Sequence, residues 1–90
     1  MINKILLHRV IVRIRRMEKV FDELRAASPD SIRTDAALNR KLRILVRYYE
    51  SGAWLKDYER DERGELPADL KRGVLSEDGV YNLLSDSANP

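Results

Sequence analysis

The chain contains no cysteine and a single histidine, His8, among its 90 residues. The missing cysteines exclude disulfides, thiolate metal sites and cysteine nucleophiles. One histidine leaves too little material for a His-based catalytic triad or metal centre. The chain has four glycines, and they form no glycine-rich phosphate loop. We therefore expect a protein that is not an enzyme and that holds neither a cofactor nor a metal.

The composition suits one small folded domain. A chain of 90 residues rarely divides into two domains, and 43% apolar residues are too many for a disordered chain. The apolar stretch at residues 1–12 is interrupted by Lys4, His8 and Arg9, and it is far shorter than the ~20 residues that span a membrane. It also lacks a small-residue cleavage site. We predict neither a signal peptide nor a membrane anchor, and we expect a cytoplasmic protein.

Charge is distributed unevenly along the chain. Residues 1–49 contain 12 basic and 5 acidic side chains, whereas residues 50–90 contain 5 basic and 10 acidic ones. The net charges of +7 and −5 leave a total of +2, which hides the asymmetry. Such a division predicts either an acidic partner for the first half or docking of one half on the other.

A heptad seam dominates the first helix, which we predict over residues 3–27. Its apolar residues recur at alternating spacings of three and four, the pattern of a coiled-coil face. The helix carries more apolar surface than one shorter partner helix covers, which favours self-association as a dimer. The alternative is that the rest of the same chain covers the seam. The candidate self-association residues are Ile5, Leu7, Val10, Ile14, Met17 and Phe21.

A second amphipathic helix is predicted over residues 35–50, after a polar turn at residues 28–34. Pro29 lies in that turn, and the residue before a proline avoids the helical region, so the first helix ends there. A short connection between two helices favours an antiparallel pair. Residues 1–50 are therefore expected to form a long, coiled-coil-like helical hairpin.

The last third is predicted to consist of short helices with explicit stops and starts. Glycine commonly ends a helix, whereas proline and serine commonly begin one. The signals are Gly64, Pro67, Gly73 and Ser76. They predict helices at residues 53–63, 66–72 and 77–85. We expect residues 51–86 to form a short-helix cap at one end of the hairpin and residues 87–90 a frayed tail, within one all-α domain.

Two stripes of arginine follow the polar faces of the two long helices. Such stripes can neutralise the phosphates of a nucleic acid, and binding would then weaken steeply with salt. No helix-turn-helix spacing, zinc-finger pattern or aromatic RNA-binding signature accompanies them. Nucleic-acid binding is therefore the alternative rather than the favoured function. Its candidate contacts are Arg9, Arg13, Arg16, Arg40, Arg43 and Arg47.

Residues 48–86 resemble a family of small bacterial proteins that is classified only as a domain of unknown function. The matching residues are Tyr48-Tyr49-x-Ser51-x-x-Trp54-Leu55-x-Asp57-Tyr58-Glu59-x-Asp61-Glu62-x-Gly64-x-Leu66-Pro67, followed by Asp69-Leu70-Lys71-Arg72-Gly73-Val74-Leu75-Ser76-Glu77-Asp78-x-x-Tyr81-Asn82-Leu83-Leu84. The resemblance implies a bacterial origin and a long N-terminal helix that leads into the motif. It implies no chemistry.

The acidic and aromatic residues of this motif allow two interpretations. In the first, Arg72 pairs with Asp57 or Asp61 and ties the third segment of the chain to the fourth, so the motif is structural. In the second, the motif forms an exposed patch for a protein partner, since Trp, Tyr and Arg are frequent hot-spot residues. The candidate patch consists of Trp54, Asp57, Tyr58, Asp61, Arg72 and Tyr81.

Together these patterns predict a non-enzymatic interaction or assembly module. We expect it to self-associate through the seam of the first helix and to bind a protein partner whose identity the sequence does not indicate. A nucleic-acid-binding accessory protein is the alternative.

Overall fold

The computed structural model describes residues 3–88, and every regular element in this part of the chain is helical. In chain order, the elements are α1 (Lys4–Ala26), α2 (Pro29–Thr34), α3 (Ala36–Glu50), α4 (Ala53–Glu62), a 3₁₀ turn (Gly73–Leu75) and α5 (Gly79–Ala88). The all-α prediction is confirmed. None of the helices in the described residues is both long and apolar enough to cross a membrane.

The two longest helices begin at side-chain caps. The side-chain oxygen of Asn3 accepts a hydrogen bond from the backbone N–H of Leu6 at 2.8 Å. The carboxylate of Asp35 accepts from the N–H groups of Ala37 and Leu38 at 2.9 and 3.0 Å. These bonds satisfy N–H groups that have no partner within the helix, and each cap contributes about 1 kcal/mol. The predicted ends of α1 and α3 agree with the observed ones to within one residue.

The heptad seam of α1 packs into the interior of its own chain. α1 contacts α3, the 3₁₀ turn and α5, which together cover its apolar side. Four of the six candidate self-association residues belong to the buried core, Leu7 is half-buried, and Ile5 is 72% exposed. The chain itself therefore covers most of the seam. The buried core residues are Val10, Ile14, Met17, Phe21, Leu24, Ile32, Leu45, Tyr48, Trp54, Leu66, Leu70, Val74, Leu75 and Val80.

Residues 28–34, predicted as a polar turn, form the short helix α2 instead. Ser28 caps this helix by accepting a hydrogen bond from the N–H of Ser31 at 3.0 Å. Pro29 occupies the first turn, where its missing N–H is not needed. Ile32 is fully buried and anchors α2 in the core. The connection between α1 and α3 is therefore a helix packed against the core, because the apolar side chain of Ile32 buries one of its faces.

Residues 66–72, predicted as a short helix, contain no helix. The guanidinium of Arg72 donates to the backbone carbonyl oxygens of Pro67 and Leu70, the latter at 3.1 Å, and holds an irregular loop together. Leu66 and Leu70 are buried under this loop. Hydrogen bonds from the Arg72 side chain to the backbone take the place of the backbone hydrogen bonds of a helix here. Residues that start or stop helices do not predict such side-chain bonds.

The last helix begins and ends later than predicted. The hydroxyl of Ser76 accepts a hydrogen bond from the N–H of Gly79 at 3.2 Å, and α5 runs from Gly79 to Ala88. Ser87 was predicted to lie in a frayed tail, but it is a buried residue of this helix. Residues 89–90 of the predicted tail lie outside the described residues.

Candidate functional site

The carboxylate of Asp57 lies at the junction of three helices and is 0% exposed. Arg13 of α1 binds it through two nitrogens, with Nε 2.9 Å from Oδ2 and a terminal nitrogen 2.5 Å from Oδ1. The hydroxyl of Tyr48, on α3, donates to Oδ2 at 2.7 Å. Arg60, one turn further along α4, donates to Oδ1 at 3.2 Å. Both oxygens of the carboxylate are therefore engaged in holding α1, α3 and α4 together.

Contacts within this cluster raise the pKa values of Arg13 and Tyr48. The hydrogen bond to Asp57 raises the pKa of the Arg13 guanidinium, so Arg13 stays a cation. Burial raises the pKa of Tyr48, and its hydrogen bond to Asp57 raises it further, so the phenol stays protonated and donates. The cluster consists of a fixed cation, a fixed donor and an acceptor whose lone pairs are occupied. This arrangement binds the three helices together.

A second junction fastens the C-terminal segment to α1 and α4. The indole nitrogen of Trp54 donates to the carbonyl oxygen of Val74 at 2.8 Å. The N–H of Val74 in turn donates to the carboxylate of Glu18 at 2.7 Å. The Trp54 ring contacts the rings of Tyr49 and Tyr58, at centroid distances of 5.1 and 5.2 Å. Both backbone polar groups of the buried Val74 are thus satisfied by side chains from distant parts of the sequence.

Two polar contacts complete this junction. The hydroxyl of Tyr58 donates to the carboxylate of Glu77 at 2.7 Å, and this bond raises the pKa of Tyr58 to about 12. Arg72 forms an ion pair with Asp61, one of the two partners that the sequence suggested for it. Within residues 3–88, no three histidine, aspartate or glutamate side chains come together as metal ligands.

An open groove runs between α1 and α3, and we call it the arginine groove. It consists of two adjoining stretches of about 590 and 440 Å³ that share four lining residues. Val12, Met17 and Ile44 supply apolar surface within it, and Val12 and Ile44 are 49% and 39% exposed. Among the described residues, no acidic side chain lines it. All six candidate nucleic-acid contacts do line it: Arg9, Arg13, Arg16, Arg40, Arg43 and Arg47.

The arginines of the groove divide into one structural residue and five unpaired ones. Arg13 is held by Asp57. Within residues 3–88, six of the twelve arginines have no ion pair or side-chain hydrogen bond, and five of those six line the groove; the sixth is Arg15. The other arginines outside the groove are paired, as Arg25 is with Asp22. The groove therefore holds most of the unpaired arginines of the described chain.

A family model described as a domain of unknown function, DUF4298, matches residues 14–89. The chain belongs to this family. The match confirms the resemblance to an uncharacterised family, and it begins well before residue 48, where the resemblance was placed. The DUF4298 segment includes the second junction, all of the first junction except Arg13, and most of the groove, whose residues Arg9 and Val12 also precede it. No curated protein and no solved structure matches the chain significantly.

The structure does not bring the six residues of the candidate partner patch together on one exposed surface. Trp54 and Asp57 are buried. Tyr58, Asp61 and Arg72 are half-buried and bound to other residues of the chain. Tyr81 is 60% exposed. Within the DUF4298 fold, five of the six residues thus have structural contacts, which is what the first interpretation of the motif predicts.

Sequence reasoning missed residues both in the two junctions and in the arginine groove. Tyr48 was expected only as part of an aromatic cluster with Trp54, and Glu18 was assigned no role. Their observed partners, Asp57 and Val74, are distant in sequence. Ile44 was recognised only as a flanking apolar residue. A signal was available, since Arg40, Ile44 and Arg47 follow one another at spacings of four and three and therefore share a face of α3.

Replacing Asp57 with Asn tests the central junction. Asp57→Asn leaves the guanidinium of Arg13 without its counter-charge and disturbs the hydrogen bond from Tyr48. We therefore expect the free energy of unfolding to fall by about 3 kcal/mol. This value is at the low end for a broken buried ion pair because Arg13 is partly exposed. Urea denaturation of the full chain measures it. Asp69→Asn removes an exposed carboxylate and is the control, with an expected change of at most about 0.5 kcal/mol. Equal losses in the two variants would contradict the role of Asp57.

The second junction should open at alkaline pH. The folded-state pKa of Tyr58, about 12, lies above its ordinary value of about 10. The contact with Glu77 is therefore fully present below about pH 10 and is lost as the pH rises through about 12. Because Tyr58 stacks on Trp54, the emission of Trp54 should change in a step near pH 12. Tyr58→Phe should lack this step; an identical step in that variant would show that another group causes it.

Proposed function

We propose that the chain is a non-enzymatic, cofactor-free interaction module of the bacterial cytoplasm that binds another protein through the arginine groove. The observation that carries the proposal is that five unpaired arginines line the same open groove as exposed apolar surface. Arginine beside apolar side chains is typical of the centre of a protein interface. In this proposal α1 and α3 act as the two arms of the predicted helical hairpin.

Nucleic-acid binding is the second candidate, because all six arginines predicted for it do line one groove. Two observations favour a protein partner over it. Val12 and Ile44 are exposed between the arginines, and phosphates offer nothing to cover them. The one tyrosine among the described residues that line the groove, Tyr48, is buried and bound to Asp57, so its phenol ring offers no stacking platform for a base.

Charge reversal in the groove separates these functions. Arg47→Glu should abolish capture of a protein partner from a nuclease-treated lysate of the source organism, since Arg47 lines both stretches of the groove. Arg15→Glu makes the same change in charge outside the groove and should leave capture unchanged. A gel-shift titration with single- and double-stranded oligonucleotides should show weak binding or none. Strong binding that falls steeply with salt and is lost in Arg47→Glu would replace the protein partner with a nucleic acid.

Self-association is a separate proposal, limited by the fold to the beginning of α1. The seam beyond it is buried, whereas Ile5 and Leu6 are exposed and available to a second copy. Light scattering should give a molar mass near twice 10.5 kDa for the wild type and near 10.5 kDa for Ile5→Asp. Leu55→Asp, at an exposed leucine of α4, is the control and should remain dimeric. A wild-type mass of 10.5 kDa at every concentration would exclude the dimer.

A further inference from the structure

We infer that the occupant of the arginine groove is an acidic amphipathic α-helix of a partner protein, which presents one apolar row with carboxylates on both sides. The inference rests on the proposed function and specifies the chemistry of the partner. It follows from three properties of the groove: the sign and placement of its unpaired charges, its exposed apolar surface, and its length.

The unpaired charges lie along both sides of the groove. Arg9 and Arg16 belong to α1, whereas Arg40, Arg43 and Arg47 belong to α3. An occupant must therefore carry negative charge along both of its edges. An isolated exposed ion pair contributes little, but several guanidinium groups that face carboxylates beside apolar surface are partly removed from water, and their pairing is correspondingly stronger.

The apolar surface excludes an occupant that is merely an anion. Val12 on α1 and Ile44 on α3 remain 49% and 39% exposed between the arginines, with the buried Met17 beside them. Covering these side chains is favourable in proportion to the apolar area removed from water. A nucleic-acid backbone, a phosphate or a polyglutamate chain neutralises the arginines but leaves this surface in water. A helix with an apolar row and acidic flanks satisfies both.

The length of the groove agrees with the repeat of a helix. Arg9 and Arg16 are seven residues apart on α1, and Arg40 and Arg47 are seven residues apart on α3, so each side spans about 10 Å, or two helical turns. A docked amphipathic helix places apolar anchors at i, i+3 or i+4, and i+7 over the same distance. The spacing of the groove arginines therefore matches the spacing of the apolar anchors on such a helix.

A second copy of the chain fits this groove less well. Its most acidic described helix is α4, in which Asp57 and Asp61 are already paired within the chain. Leu55 is the one large apolar side chain of α4 that is exposed, whereas the groove offers apolar surface from both of its helices. A separate protein with a continuous apolar row is the better match.

The test measures fluorescence anisotropy of labelled probes against the full chain. The first probe is a synthetic peptide of about four helical turns with leucines at the i, i+3, i+4 and i+7 spacing and glutamates on both flanks. The second has the same composition in scrambled order, and the third is a single-stranded oligonucleotide of the same charge. The first probe should bind at least about tenfold more tightly than either of the others, since only it matches both the charge and the apolar surface.

Matched variants locate the binding. Arg47→Glu should weaken the first probe by about tenfold or more, and Arg15→Glu should leave it within about twofold, because both reverse one unpaired arginine but only Arg47 lines the groove. Val12→Ser should weaken binding of the amphipathic peptide and leave binding of the scrambled peptide unchanged. Leu55→Ser removes an exposed leucine elsewhere and should change neither. Far-UV circular dichroism confirms that each variant is folded.

The outcomes separate failure of this inference from failure of the proposed function. Equal binding of the two peptides, lost in Arg47→Glu, would overturn the helical occupant but support a groove that binds acidic proteins. Tighter binding of the oligonucleotide, lost in the same variant, would overturn both. No binding of any probe by the folded wild type would overturn the inference, and partner capture would then decide the proposed function on its own.

Discussion

The position of every helix around the groove depends on the burial of one carboxylate. An unpaired carboxylate in the interior of a protein costs several kcal/mol, so α4 can dock only where cationic and hydroxyl donors reach Asp57. α1 supplies Arg13 and α3 supplies Tyr48, so one side chain requires three helices to meet in one arrangement. Apolar contacts alone would tolerate small rotations of these helices, whereas the bidentate geometry of Arg13 does not.

The Asp57 junction also determines which arginines remain available. It engages Arg13 and fixes the rotation of α1, which carries Arg9 and Arg16 to the side of the helix that borders α3. The same rotation turns Val10 and Ile14 into the core. The buried seam and the exposed groove therefore both follow from the same rotation of α1. Residues three or four positions apart share a face of the helix, whereas the residues between them lie on other faces.

The extent to which the sequence predicts this molecule follows the range of the interactions involved. α1 and α3 are predictable because their seams and their caps at Asn3 and Asp35 lie within the helices themselves. The loop at residues 66–72 is not, because Arg72 replaces local helical bonds with bonds of its own. In the groove, the six arginines can be chosen from their spacing. The sequence does not show that Arg13, unlike the other five, is held in an ion pair, because its partner Asp57 lies 44 residues away.

The opposite charges of the two halves of the chain persist in the folded protein. Among the described residues, Arg13–Asp57 joins the halves, whereas other ion pairs join residues of the same half: Arg25–Asp22, Lys41–Glu23, Arg60–Asp57, Arg63–Glu65 and Arg72–Asp61. Docking of one half on the other therefore leaves the groove arginines uncompensated. Their mutual repulsion is relieved by an anionic occupant and by salt, so the local arrangement of charge says more about the partner than the net charge of +2 does.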